Sequence, residues 1–367
     1  MKEVRFSIAG LSFDFISNGP AAEYLLDELP GLLPGFLVRK KKFADAVCLV
    51  HFDHELTYPQ RFHSEPHFIR RADSSSSEAI FARMGEILFS PWAKSKSLKS
   101  ASVCHSGLDP ESSNELKMLD SGFRRNDDRR AHRSMKIPPY PPLEKGGWGD
   151  FHRNNYSEAI GFLNGCLAFD DCTNRGLIYI FCSEAANHFV GTLLKLLFVF
   201  TCLVMVNRGR LMVHGAGIKK RKGRGGYLFL GTSGAGKSTV AALSSGDVVL
   251  SDDAAVVGVA EGACHIFATP FRQVGSEQSS PKRLYLQQEK LDKLLFLHQS
   301  ATTFIQPREQ RNAFTELLKE HLHCFEVMGE PLKRQAFYLC RAVCEMTPAY
   351  DLFFRKDPGF WELVTAK

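Results

Sequence analysis

The chain has 367 residues, enough for two domains of ordinary size that each bury a core. Its hydrophobic fraction of 44% and charged fraction of 23% are close to the averages for soluble proteins, which argues against wholesale disorder and against a membrane-spanning bundle. The formal net charge is +6, but residues 94–155 hold twelve Lys or Arg and eight Asp or Glu and therefore carry four of these charges. The remaining surplus is too small to indicate a nucleic-acid partner.

The first ninety or so residues alternate short apolar runs with one helical pattern. Residues 4–8 and 46–52 predict strands, and residues 21–33 predict a helix, so we expect a small α+β domain over residues 1–93. The opening Met1-Lys-Glu-Val-Arg-Phe lacks the apolar run of a signal peptide. Ten cysteines without a CxxC pair also suit a reducing compartment, so we expect a cytoplasmic protein.

Residues 94–155 are rich in Ser, Pro, Gly and charge, a composition that does not bury enough apolar surface to fold. The stretch from His105 to Ser113 resembles the translation of a bacterial palindromic DNA repeat, and residues 137–151 resemble a second one. We predict an in-frame insertion in a surface loop, where added length costs little closure entropy. A Pro-rich segment that binds a partner is the alternative.

Residues 156–206 are expected to complete the N-terminal part with a strand at 177–181 and a long helix at 185–206. The most apolar stretch, 192–206, has fifteen residues with Lys195 among them. A helix that spans a bilayer needs roughly twenty. The sequence therefore predicts a buried helix and no membrane contact.

A phosphate-binding loop, or P-loop, matches the pattern G-x-x-x-x-G-K-[ST] in full. Residues 211–218 and 227–230 predict two strands before the loop, and residues 238–243 predict the helix that follows it. Glycines let successive main-chain N–H groups of such a loop turn toward phosphates. The predicted nucleotide-binding residues are Gly231, Thr232, Ser233, Gly234, Ala235, Gly236, Lys237, Ser238 and Thr239.

Within this loop we expect Lys237 to reach the β- and γ-phosphates of ATP and Ser238 to bind Mg²⁺. Fifteen residues beyond the lysine, Asp252 and Asp253 follow an apolar run. Two carboxylates at a strand end suit a metal ligand and a general base, whereas an Asp-Asp turn or helix cap is the structural alternative. His214, on the strand before the loop, is on its own more typical of a core residue.

Taken in order, His214-Gly215, the P-loop and Ser251-Asp252-Asp253 resemble the catalytic domain of the HPr kinase/phosphorylase family, which shares its P-loop architecture with phosphoenolpyruvate carboxykinase. Residues 268–272 and 348–361 are more similar to the HPr kinase-related proteins of peptide-modification cassettes, such as the SynChlorMet group. The resemblance implies an α/β fold in which a P-loop catalytic domain with a mixed β-sheet, residues 207–367, follows the small α+β domain.

The same resemblance implies an ATP-dependent kinase that acts on a serine hydroxyl of a peptide or protein. It assigns the general base to Asp252, the positioning of the phosphoryl group to His214, and support of the metal to Asp253. Arg272 is expected to stabilise charge in the transition state, with an ordinary surface arginine as the alternative. The order of the two aspartates is open.

Two departures from the family bear on the substrate. Thr239 stands where the HPr enzymes usually have an acidic residue, and their segment for phosphorolysis has no counterpart here. We therefore expect a precursor peptide or another protein with an exposed serine, rather than HPr, as the acceptor. A nucleotide-binding regulator without phosphotransfer and a small-metabolite kinase are the alternatives, and a homo-oligomer is left open.

Beyond residue 275, apolar residues at three- and four-residue intervals predict helices at 289–297 and 311–322. Cys340 and Cys344, one helical turn apart, are predicted to be core residues. His321 and His323 lie beside Cys324, but no second pair of ligands matches them, so zinc is not predicted.

Overall fold

The computed structural model describes residues 2–18, 20–33, 35–38, 44–53, 67–68, 158–162, 165–181, 189–221, 225–244, 246–271 and 286–366. These residues form a mixed α/β protein with two β-sheets, each of which contains parallel and antiparallel pairs. The insertion predicted at 94–155 and the predicted site residue Arg272 lie outside the described residues.

The first sheet has seven strands in the order β1-β2-β3-β7-β6-β5-β4. Its strands are β1 (Glu3–Ile8), β2 (Leu11–Asn18), β3 (Ala46–Asp53), β4 (His67–Phe68), β5 (Glu158–Phe162), β6 (Gly165–Asp170) and β7 (Arg175–Phe181). The strands predicted at 4–8, 46–52 and 177–181 are confirmed, as is the first helix, α1 (Pro20–Leu32). Because β3 pairs in parallel with β7, segments from both sides of the predicted insertion build one sheet.

Helix α2 (Phe189–Asn207) packs against β6 and β7 of the first sheet and also against the second sheet. Its Phe200 is fully buried, and the rings of Phe13, Phe15 and Phe169 surround it at centroid distances of 6.3, 6.2 and 5.9 Å. By length and composition alone α2 is apolar enough to cross a membrane, but 61% of its most apolar window is buried in the fold. The buried helix predicted at 185–206 is confirmed from Phe189 onward.

The second sheet has eight strands in the order β10-β8-β11-β12-β13-β15-β14, and β9 pairs with both β8 and β13. These strands are β8 (Arg210–Lys219), β9 (Gly226–Leu230), β10 (Val248–Ser251), β11 (Ala254–Ala260), β12 (Ala263–Phe267), β13 (Gln288–Gln299), β14 (Phe304–Pro307) and β15 (Ala349–Phe354). The strands predicted at 211–218 and 227–230 are confirmed. Pairing runs from β8 through β11, β12, β13 and β9 back to β8, so these five strands close a ring.

The helix predicted at 289–297 is wrong, because this segment is the strand β13. Leu294 pairs with Leu228 of β9 on one side and with Ala349 of β15 on the other, both in parallel. A strand with parallel neighbours on both sides is buried on both faces and carries an unbroken apolar run, here residues 294–297. Such a run fits helical spacing equally well, and the pairing partners that distinguish the two are distant in the sequence.

Among the residues that the structure describes, four further helices belong to the part of the chain that forms the second sheet. They are α3 (Lys237–Leu243), α4 (Gln310–Glu316), α5 (Glu330–Met346) and α6 (Phe360–Thr365), with a π-helical turn at Leu317–His321 and a 3₁₀ turn at Phe325–Val327. The helix predicted at 238–243 is confirmed. The one predicted at 311–322 is confirmed as far as His321, after which Leu322 is extended. Cys340 and Cys344 are buried on α5, as predicted.

Candidate functional site

The P-loop leaves the buried strand β9 and enters α3, and its glycines are required by its geometry. Gly236 has a φ of +116°, and a Cβ added there would lie 2.6 Å from the ring of Phe354. At Gly231 an added Cβ would lie 2.7 Å from the Cβ of Ala235. Residues 232–234, at the tip, are exposed. The loop thus combines a tight, glycine-dependent turn with an accessible main chain, as phosphate binding requires.

Lys237 folds back into the loop instead of extending into solvent. Its Nζ donates hydrogen bonds to the carbonyl oxygens of Gly231 at 2.7 Å and Thr232 at 3.0 Å. Burial lowers the pKa of Lys237, and the nearby carboxylate of Asp253 opposes this shift. The ammonium group therefore lies on the inner side of the loop, while Ser238 is exposed on the first turn of α3.

His214 lies where β9 separates from β8. The register pairs Gly215 with Leu230, the last residue of β9, so the first loop residue follows directly beside His214. Along the other edge of β8, the strand β10 pairs as far as Ser251 and the strand β11 pairs from Ala254, so the pairing is interrupted between them. Asp252 and Asp253 are the two residues between these strands, and the carbonyl of Asp253 accepts a hydrogen bond from Gly215 N at 2.9 Å. Sheet pairing therefore brings the aspartates beside His214.

The central contact of the site joins His214 Nδ1 to Asp253 Oδ1 at 3.1 Å, and the two side chains are 30% and 33% exposed. The hydrogen bond from His214 is the main cause that lowers the pKa of Asp253, and His323 and Lys237 add to it against the effect of burial. Asp253 is therefore ionised at neutral pH. Three predicted site residues, His214, Lys237 and Asp253, come together here.

Asp252 is only 7% exposed, and its Oδ1 has no hydrogen-bond partner within the part of the chain that the structure describes. A buried carboxylate oxygen without a partner is unfavourable unless a cation or a proton donor reaches it. Together, Ser238, Asp252 and Asp253 offer the hard oxygen atoms that Mg²⁺ prefers. The donor set at this site therefore fits the predicted cofactor.

Two residues that the sequence analysis set aside, His321 and His323, approach the site from the C-terminal part of the chain. Because β11 occupies one edge of β8 at Val213, Leu322 bridges to Val213 from the other edge, and His323 N donates to the carbonyl of Met212 at 3.0 Å. The centroid of the His323 ring lies 5.5 Å from that of His214. Burial, and secondarily His214, lower the pKa of His323 to about 4, so its ring is neutral at pH 7.

His321 is buried, and a chain of ionic contacts links it to β15. Its Nε2 lies 3.3 Å from Glu316 Oε1, and Glu316 in turn accepts a hydrogen bond from Arg308. Arg308 also donates to Asp351 at 2.5 Å and lies 4.1 Å above the ring of Phe296. Burial lowers the pKa of His321, and Glu316 opposes the shift. The only sequence signal for this arrangement was the His-x-His spacing.

A cavity of about 280 Å³ opens beside the P-loop, between the loop and the carboxyl ends of β13 and β15. At this point Gln299 Nε2 donates to the carbonyl of Gly234 at 2.5 Å. The cavity is lined by Ala235, Gly236, Gln299, Ser300, Phe354, Arg355 and Lys356. Its two cationic side chains suit an anionic ligand, and neither was predicted from the sequence.

No protein-family model matches the chain, and no curated protein matches it. The chain is a mixed α/β protein with mixed β-sheets.

Proposed function

We propose that this protein is an ATP- and Mg²⁺-dependent kinase that transfers the γ-phosphoryl group to a serine hydroxyl of a peptide or protein, through a catalytic domain of the HPr kinase type. The observation that carries the proposal is the contact of Asp253 with His214 close to Lys237. A phosphate-binding loop alone supports only nucleotide binding. A carboxylate and an imidazole beside its lysine add groups that phosphoryl transfer uses.

On this proposal the main-chain N–H groups of residues 231–238 hold the phosphates. Lys237 Nζ exchanges its two carbonyl partners in the loop for β- and γ-phosphate oxygens. Ser238 and Asp253 would hold Mg²⁺ through their oxygen atoms, and the ion would supply positive charge to neutralise the transferred group. The cavity beside Arg355 and Lys356 accommodates the rest of the nucleotide.

The acceptor serine reaches the γ-phosphate from the side of the aspartates. Asp252 accepts the proton of its hydroxyl at Oδ1, the carboxylate oxygen that has no partner among the described residues. His214 holds Asp253 and faces the phosphoryl group. The acceptor is a cytoplasmic peptide or protein with an exposed serine, in keeping with the resemblance to proteins of peptide-modification cassettes.

The test measures ATP binding and phosphoryl transfer separately. Purified protein is incubated with Mg²⁺, γ-labelled ATP and a library of serine-containing peptides, and a library with alanine in place of every serine is the control. We expect label on serine only. Lys237→Met should abolish binding and transfer together, because the ammonium group contacts the phosphates. Asp252→Asn should leave ATP affinity within about twofold and reduce transfer by roughly 10²- to 10⁴-fold, the usual contribution of a general base.

The two aspartates are distinguished by their dependence on Mg²⁺. Asp253→Asn should raise the Mg²⁺ concentration that half-saturates transfer, whereas Asp252→Asn should lower transfer at saturating Mg²⁺. Asp27→Asn, at an exposed position of α1, is the control and should change neither. ATP binding without transfer to any serine would contradict the kinase and favour a nucleotide-binding regulator, and label on a small metabolite would favour a metabolite kinase.

A further inference from the structure

We propose that His323 is a positioning residue that holds the His214–Asp253 pair in its contact geometry, a role that rests on the proposed function of that pair. His323 lies in residues 317–324, which are called the histidine segment below. The segment contains a π-helical turn at Leu317–His321, and Cys324 has a φ of +62°. Both conformations are uncommon and are frequently found at functional sites.

Contacts fix the His323 ring on several sides. The ring of Phe198 on α2 lies 5.1 Å away at 88°, and the ring of His214 lies 5.5 Å away at 76°. The main chain of Asp253 lies close enough to the His323 ring to oppose the effect of burial on its pKa. The His323 ring therefore contacts the ring of His214 and lies near the main chain of Asp253.

The histidine segment is itself held at both ends of its extended part. His323 N donates to β8 through the carbonyl of Met212, and His321 is held by Glu316, which Arg308 binds. The segment lies along the edge of β8 that β9 leaves when it enters the P-loop. The segment therefore takes the place of a paired strand on this edge of β8, next to His214.

The His323 ring restricts the rotamers that the His214 side chain can adopt. An imidazole that is 30% exposed can adopt other rotamers unless neighbouring groups fill the space around it. The His323 ring fills one side and keeps His214 Nδ1 in contact with Asp253 Oδ1. A displacement of about 1 Å in a catalytic group can cost on the order of 100-fold in rate. His323 thus acts through His214 and Asp253 and does not need to touch a substrate.

The experiment compares His323→Ala, which removes the ring, with His323→Phe, which keeps a ring of similar shape. Long-range ¹H–¹⁵N spectra of protein labelled with [¹⁵N]histidine, recorded at one fixed pH, report which nitrogen of each imidazole carries the proton. His214→Asn assigns the signals of His214. The control is His265→Ala, on β12. Thermal unfolding and ATP affinity are measured for every variant, and His323→Leu replaces the alanine variant if that variant does not fold.

We expect His214 to be protonated at Nδ1 in the wild-type protein, where it donates to Asp253. His323→Ala should replace this state by a mixture of tautomers and lower kcat for transfer by roughly 10- to 100-fold with the KM for ATP within about twofold. His323→Phe should restore the wild-type tautomer. His265→Ala should change nothing.

Unchanged His214 signals in His323→Ala, or an equal change in His265→Ala, would overturn the proposal. The spectra need no turnover, so they decide on His323 even if no peptide is phosphorylated and the kinase proposal fails.

Discussion

At Gly236 two separate constraints act on one residue. Its φ of +116° lies in the region that favours glycine, and the ring of Phe354 leaves no room for a Cβ. The same residue joins the loop that we propose to hold the phosphates to the first turn of α3. Its conformation therefore connects the fold of the loop directly to nucleotide binding.

Gly236→Ala should lower ATP affinity at least about tenfold, because a strained residue costs about 1–3 kcal/mol and relief of that strain displaces the loop. Titration with a fluorescent ATP analogue measures the affinity, and urea unfolding measures the stability. Gly246→Ala is the matched control, since no atom lies within 4 Å of its added Cβ and its φ is not in the left-handed region. Equal affinities for the two variants would contradict the role of Gly236.

Single residues also show what a sequence can predict about this site. Lys237, Asp252 and Asp253 were predicted as site residues because the P-loop pattern is local and the aspartates end an apolar run. His323 was set aside because its partner, His214, is more than a hundred residues away and is reached only through the pairing of Leu322 with β8. A pattern that depends on tertiary contact leaves little trace in local spacing.

Among the elements, the hairpin of β1 and β2 is joined by a buried ion pair. Arg5 and Asp14 face each other in register, both are 6% exposed, and the guanidinium donates to both carboxylate oxygens. The hydrogen bond that Arg5 donates to Asp14 raises the pKa of Arg5, whereas burial raises the pKa of Asp14 against the effect of Arg5. Each charge is thus tolerated only because of the other.

Arg5→Met should reduce the free energy of unfolding by about 3–5 kcal/mol, because it leaves a buried carboxylate without its counter-charge. The double variant Arg5→Met/Asp14→Leu should lose clearly less than the sum of the two single variants. Urea unfolding measures all three. Lys2→Met is the control, because its ion pair with Asp27 is largely exposed and should contribute less than about 1 kcal/mol. Additive losses would show that the two residues do not stabilise each other.

The elements also show where sequence patterns fail. Three strands of the first sheet, β1, β3 and β7, were predicted because each is a short apolar run. The strand β13 was not, because its apolar run fits a helix until its parallel neighbours, β9 and β15, are known. Helix α4 was predicted, but its continuation as a π-helical turn depends on contacts such as that of His321 with Glu316.

On the scale of the whole molecule, α2 connects the two sheets. One cluster of buried side chains contains Phe13 and Phe15 of the first sheet, Phe200 of α2, and Val213 and Phe296 of the second sheet. The domain boundaries predicted at residues 93 and 155 rest on composition, and the one at 206 rests on the family resemblance. Neither reports whether neighbouring cores are continuous. This shared cluster predicts that the two parts unfold together.

Phe200→Ala should reduce the free energy of unfolding by about 3–5 kcal/mol, because it opens a cavity among three aromatic rings in the shared core. Cys48 on β3 and Cys340 on α5 are both buried, so their reaction with a thiol reagent in increasing urea reports separately on the two parts of the molecule.

A continuous core requires both cysteines to become reactive at the same, lower urea concentration in the variant. Leu32→Ala, at an exposed position of α1, should shift neither by more than about 0.5 kcal/mol. Reactivity that changes at Cys48 alone would show that the first sheet unfolds independently of the second sheet, and that α2 packs against the second sheet without coupling the stability of the two.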